Sequence, residues 1–483
     1  MANLALAMSA SGSLGCSLLY NPSNLPPQQT IDAAVDTPDA EVLVDANAGM
    51  LMLTGASPAV IVEGAGANGS RSAVLVVDGA HMVKDGAMVT LAPAPGSPKT
   101  PMVMVDNSQI IVEGNGMRLA VPITLPVDTG LGATDAIAMD ITVTQLANGA
   151  PATTTLTGKL TIRGLPELDT AMPHVFGSVN EFSFINLRAG SSVSVAGGLG
   201  APVVIHSTSS LTIASGIPIN VNASGQTPGP AGGRGGNPGP GGLLNGSKGG
   251  EGEGPAKGLP SGGGGGFNAP ESLTSLDNPN RSSGGAGGDG LSLGAEGGAG
   301  GGGGGSIALI ADGDLAVGAI NARGVAGTAP AGANPGGGGS GGVVYVHAGR
   351  NLMLGAVDVS GGGNGAAGRA RYEAGGTATV ATPTMFRGPA FVSPPLITKD
   401  ERPTIAVVGA PLKAFQFYWT NASGQQILGP FSQTFPGNGM TNLAFPSGPG
   451  LYRGLNMLCL LVAGADATSN TKSCIELAYL YAP

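Results

Sequence analysis

The chain of 483 residues carries 87 glycines and 37 prolines, only 11% charged residues and a formal net charge of −9. Without a cluster of Lys and Arg it has nothing from which to build a phosphate-tracking surface, so nucleic acid is not expected as a partner. No apolar run approaches the ~18 residues of a membrane-spanning helix, and helical periodicity is nearly absent, which excludes α and α/β architectures in favour of an all-β fold.

Residues 1–27 read as a leader and tether. The segment MANLALAMSASGSLGCSLLYNP resembles a bacterial lipoprotein signal, in which a short apolar stretch ends at a Cys that is lipidated. That resemblance implies lipidation of Cys16 and a membrane association only through the lipid. The alternative is an ordinary N-terminal strand with a buried thiol.

From residue 28 onward the chain alternates apolar and polar residues in short segments punctuated by Gly, Asn and Pro, among them EVLVD (41–45), AVIVE (59–63), AVLVVD (73–78) and MDITVT (139–144). This is the period of half-buried strands. AVIVEGAG and IIVEGNG are near copies, which predicts that stacked coils begin here; residues 156–176 read as a brief excursion. The clearest signal lies further on. Residues 307–324 (IALIADGDLAVGAINARG) and 344–361 (VYVHAGRNLMLGAVDVSG) match position for position, and residues 185–195 and 203–213 carry the first half of the same unit. No unit this small buries its own apolar face, so the units must stack, and residues 28–397 are predicted to form a parallel β-helix solenoid.

Two Gly-rich stretches interrupt the repeats, an insert at 225–305 and a loop at 325–342. Both leave the solenoid at the same edge. Two readings stay open: flexible linker, or side-chain-free threads that pack in polyproline-II geometry as an ordered flank. After residue 397 aromatic residues concentrate and strands alternate with Gly/Pro/Asn turns, which predicts a small C-terminal β-sandwich over 398–483. Within it Cys459 and Cys474 lie on two apolar strands joined by a polar turn. Folding those strands together brings the thiols near opposition, as a disulfide or as two free buried thiols.

Candidate chemistry is sparse. GGAGGDGLS (284–292) matches one copy of a calcium-binding β-roll nonapeptide, which makes Asp289 a weak candidate metal ligand; no cofactor other than calcium is suggested. Asn222, Asn321 and Asp358 align at equivalent corners, as a stacked ladder or as a groove for glycan hydroxyls. Asp312, Asp314, Arg323, Arg350 and Asp358 are the charged residues of the two full repeats. His206 and His347 occupy nearly equivalent places. No nucleophile–base or zinc arrangement follows from spacing, so no catalytic residue is assigned. Tyr418 and Trp419 would supply a sugar-stacking platform if exposed, and core rings if not.

The repeat pattern resembles the pectin-lyase-like right-handed β-helix proteins and Gly-rich bacterial surface proteins. The resemblance implies an exported protein, outside the cell or on the outer-membrane surface, with a structural or adhesive role and a polysaccharide, another surface protein or its own copies as partner. Polysaccharide lyases or hydrolases, tailspike-like depolymerases, and filament or fibre subunits are the alternatives.

Overall fold

The computed structural model describes residues 50–64, 71–126, 129–196, 200–241, 248–266, 283–290, 294–465 and 471–481, so Cys16 and residues 41–45 lie outside the described residues. The fold is all-β, with no α-helix among the described residues.

Two six-stranded, all-parallel sheets form the solenoid. One runs through Glu167–Thr170, Phe184–Leu187, Leu211–Asn220, Leu315–Asn321, Leu352–Asp358 and Ala378–Val380, the other through Val179–Phe182, Val203–Ser207, Ser306–Ala311, Val343–Ala348, Arg369–Ala374 and Phe386–Arg387. Ile307 pairs with Val344 and Leu315 with Leu352, the register read from the repeat. Identical residue classes therefore stack inward in columns, Leu211–Leu315–Leu352 and Ile205–Leu309–Val346, all buried between the sheets. Burying each such side chain fully contributes about 1.5–3 kcal/mol.

Parallel stacking of consecutive coils begins at Glu167, later than the sequence suggests. The strands between Met52 and Arg163 pair mainly antiparallel, in two sheets that enclose a separate apolar core. Residues 156–163, expected as an excursion, continue the long strand Ala150–Arg163 of this sandwich. The glutamates of the near copies AVIVEGAG and IIVEGNG explain the similarity differently. Both are buried, and both pin the sandwich to a neighbour. Glu63 accepts from the Leu165 N–H at 2.8 Å and from the Thr129 hydroxyl, while its carbonyl accepts from Thr208 of the solenoid. Glu113 lies between Arg118 at 3.5 Å and Arg453 of the C-terminal domain at 3.8 Å.

The run 73–77 is buried at every position, because Leu75 and Val77 face the sandwich core while Val74 and Val76 pack on Leu455, Ala478 and Leu480. A strand covered on both faces reads as continuous apolar sequence rather than alternation.

The C-terminal domain is a two-sheet sandwich whose first strand, Ala390–Phe391, pairs with Ala406–Val408, ahead of the expected boundary at 398. Cys459 pairs with Cys474 across two antiparallel strands and the two are joined by a disulfide, Cα–Cα 4.1 Å.

The Gly-rich stretches are ordered over their described residues. Thread 283–290 donates from Gly284 to Glu253, from Gly285 to Gly301, from Ala286 to Gly263, and then repeats the cycle from Gly287 to Gly250 and from Gly288 to Gly298. A neighbour therefore recurs every third residue, the period of a polyproline-II thread, whose hydrogen bonds must all go to other threads. The same spacing links 236/239 to 285/288 and 298/301/304 to 334/337/340.

Candidate functional site

The sequence-selected residues separate into structural and available ones. Trp419 is fully buried, stacked on Phe431 at 5.2 Å, with its indole N–H donating to the Gly450 carbonyl at 2.9 Å. Tyr418, on the opposite face of the same strand, is buried against Cys459, Leu461 and Phe386. Neither ring is an exposed platform: alternation would free one of them, but both faces of this sheet are covered.

Asn222 is not in the expected corner ladder. Three extra residues between Ile213 and Pro218 shift the register, so the column is Asn220–Asn321–Asp358, with the Asn321 amide donating to Asn220 at 2.8 Å. Asn222 instead accepts from the Arg323 N–H at 2.7 Å, and Asp358 pairs with Arg323 at 2.7 Å. These side chains close corners. Asp314 does the same, accepting from the Asn351 N–H at 3.0 Å beside Arg350 at 3.4 Å. Asp289 accepts from the Gly249 N–H at 3.0 Å, and the Ser261 hydroxyl followed by that N–H holds its carboxyl below the usual carboxylate range. Among the described residues no three His, Cys, Asp or Glu are placed to share a metal ion.

What remains is a groove where the three modules meet. A cleft of about 480 Å³ is lined by Arg71 and Ser72 of the sandwich, Asp312 and Arg350 of the solenoid, and Met457 and Glu476 of the C-terminal domain. A second cleft of about 520 Å³ shares Met457 and Glu476 and continues between the sandwich residues 56–59 and the turn 420–424. A third, about 220 Å³, adjoins the other end through Asp312, Pro394 and Ile475. No protein-family model, curated protein or solved structure matches the chain. The groove therefore has to be read from its own chemistry.

The two carboxyls in it are set apart. Burial pushes Glu476 up, and the negative charge of Asp312 adds to that against the opposing Arg71. Burial also acts to raise Asp312, but its hydrogen bond to His206 at 3.0 Å, the charge of that ring and Arg71 outweigh it and hold this carboxyl low. His206 is the reciprocal case: burial lowers it, but Asp312 and then Glu181 leave it above the ordinary histidine value. His206 and His347 fall in one column through Ile310, as their spacing suggests. The pair has its own pH window. A raised His206 contributes stability below its ordinary 6.5 that is lost as pH rises through its folded value, while a lowered Asp312 contributes above 3.8 and loses it on acidification. The contribution is therefore greatest between those two values. Asp312→Asn is expected to lower the His206 pKa, read from its ring-proton shifts in an NMR titration. An unmoved pKa would remove Asp312 as its cause.

Glu476 was not legible as a site residue, because nothing in SCIELAY distinguishes it from a solvated strand position. Neither was the second charged group, on the outer face of the sheet containing Arg369–Ala374. There the buried Glu373 accepts from Tyr345 at 2.7 Å and pairs with His347 at 2.9 Å and with Arg371. Arg371 lies over the Tyr345 ring at 5.1 Å and donates to the Thr471 carbonyl at 2.9 Å. The signal available was RARYEA, charges at alternate positions of a strand whose neighbours are apolar.

Proposed function

We propose that the chain is an exported surface protein with a structural or adhesive role, acting by binding rather than by catalysis. The observation that carries this reading is the thread bundle: a body of hydrogen-bonded backbone, with Arg234, Glu251, Glu253 and Lys257 exposed on it, extends the solenoid as an element suited to a structural role. The Cys459–Cys474 bridge supports an oxidising compartment, where disulfides persist. In this reading the solenoid is of the right-handed pectin-lyase-like type, Cys16 carries the lipid, and the partner is a polysaccharide, another surface protein or further copies of the chain.

Intact mass of the natively expressed protein, with and without reductant, tests the export. A lipidated chain beginning at Cys16 and gaining two hydrogens on reduction is expected; an unmodified chain with free thiols would overturn it. Adhesion of protein-coated beads to cells tests the role. A hydrolase is the second reading, favoured by the oppositely shifted Asp312 and Glu476 in one cleft. Release of new reducing ends from a polysaccharide would establish it in place of the first.

A further inference from the structure

We propose that the groove between the three modules binds a linear, uncharged oligosaccharide, with Glu476 as its central hydrogen-bonding group and Arg71 and Asp312 beside it. Three observations converge on this. The three clefts share lining residues end to end, so the groove is elongated, and each of the two larger ones lies in the ~300–1,000 Å³ range in which small ligands are held. An extended polymer fits that shape better than a compact molecule.

Glu476 stands where the two larger clefts join, half-buried. Its carboxyl makes no hydrogen bond or ion pair with any described residue. Half-buried yet still reached by solvent, that carboxylate can accept from a ligand hydroxyl in place of water. Arg71 is fixed by donation to the Val62 carbonyl at 2.8 Å, and Asp312 by His206, so the groups beside Glu476 are held in place before a ligand arrives.

The lining chemistry selects the ligand class. Facing Glu476 and Asp312 are Arg71 and Arg350, and Arg350 is already engaged with Asp314, so the groove has no surplus positive charge to recruit an anionic polymer. Carboxylates accept from hydroxyls, the Arg71 guanidinium donates to them, and Thr208, Ser209 and Asn421 extend the polar wall in both directions. Met457, Ile475 and Pro394 supply apolar surface for the C–H faces of sugar rings. A hydroxyl-rich, neutral chain suits the Glu476 acceptor and the Arg71 donor, while Thr208 and Ser209, whose hydroxyls already donate to the Glu63 and Ser183 carbonyls, form the wall beside them.

The inference rests on the reading of the protein as a surface binder, and calorimetry separates the two. Neutral hexasaccharides of α-glucan, β-glucan and mannan, with hexagalacturonate as the charged comparison, are titrated into the full-length protein. At least one neutral hexasaccharide is expected to bind, and Glu476→Gln and the cleft-blocking Ser72→Trp are each expected to weaken it tenfold or more, with Gly216→Ala, outside the groove, unchanged. Binding by neither neutral class nor charged probe, tighter binding of hexagalacturonate, or full affinity in both groove variants would overturn the assignment. Adhesion of coated beads without any hexasaccharide binding would sink the groove and leave the surface role standing. Hexasaccharide binding without adhesion would do the reverse.

Discussion

Gly285→Ala is expected to loosen the thread bundle while leaving the solenoid folded. A Cβ on Gly285 would stand 2.1 Å from the Gly337 carbonyl oxygen, a distance no relaxation of one side chain can relieve because the obstacle is backbone. The thread must move, and with it go the bonds from Gly285 to Gly301 at 2.9 Å and from Gly236 to Gly285 at 2.8 Å. At about 1 kcal/mol for each hydrogen bond, and with the desolvated partners left unpaired, the local cost reaches roughly 3–5 kcal/mol, in the range reserved for disruption of a packed interior. Amide hydrogen exchange reads this directly: protection at residue 285 and at Gly236, the donors of those two bonds, should fall, while Leu309 and Val346 in the solenoid keep theirs. Gly216→Ala is the control, since its added methyl meets nothing within 4 Å, and its effect should stay within about 0.5 kcal/mol. Unchanged protection in Gly285→Ala would mean that the threads do not pack against one another in solution.

The same threads show which features the sequence makes legible. The solenoid register is readable because stacking demands the same residue class at the same coil position, and Ile307 over Val344 or Leu315 over Leu352 satisfies that demand visibly. The order of the Gly-rich flank is encoded too, in a period of three: Ala231, Arg234, Asn237 and Pro240 in one thread, and Ser283, Ala286 and Asp289 in another, place side chains on one line and, Pro238 excepted, leave the other two lines to glycine and backbone contact. The Asp of the apparent calcium nonapeptide is one member of that line. The corner ladder was misplaced by two residues because NASG and NARG match as words, while the extra residues after Ile213 shift the strand that precedes them. The groove was not legible at all. Arg71, Asp312 and Glu476 come from three modules, which are brought together by the docking of Val74 and Val76 against Leu455 and Leu480, by Thr208 on the Glu63 carbonyl and by Arg371 on the Thr471 carbonyl.

Arg371→Met is expected to be the most damaging single change outside the threads, and its cost should depend on pH in a defined direction. Burial alone would push the Glu373 carboxyl up; the Arg371 charge, with His347, overrides it and holds the group below its ordinary 4.5. In the intact protein this contributes stability that is present above about 4.5 and lost as pH falls through the lowered folded value. Removing the guanidinium leaves a fully buried carboxylate whose remaining partners are Tyr345 and His347, and breaking a buried pair from one side costs about 3–5 kcal/mol. It also removes the bond to the Thr471 carbonyl, so the contact between the solenoid and the C-terminal domain weakens with it. Without Arg371 the burial effect wins and the carboxyl takes up a proton more readily than in the wild type. The deficit should therefore be largest near neutral pH and narrow on acidification, as the variant discharges the uncompensated anion. Urea unfolding at pH 7 and pH 4.5 measures both quantities. A double variant, Arg371→Met with Glu373→Leu, should recover much of the loss at pH 7, since well-packed apolar residues replace a buried ion pair at little cost. A single variant equally destabilised at the two pH values would show that Arg371 acts through packing over Tyr345 rather than through its charge.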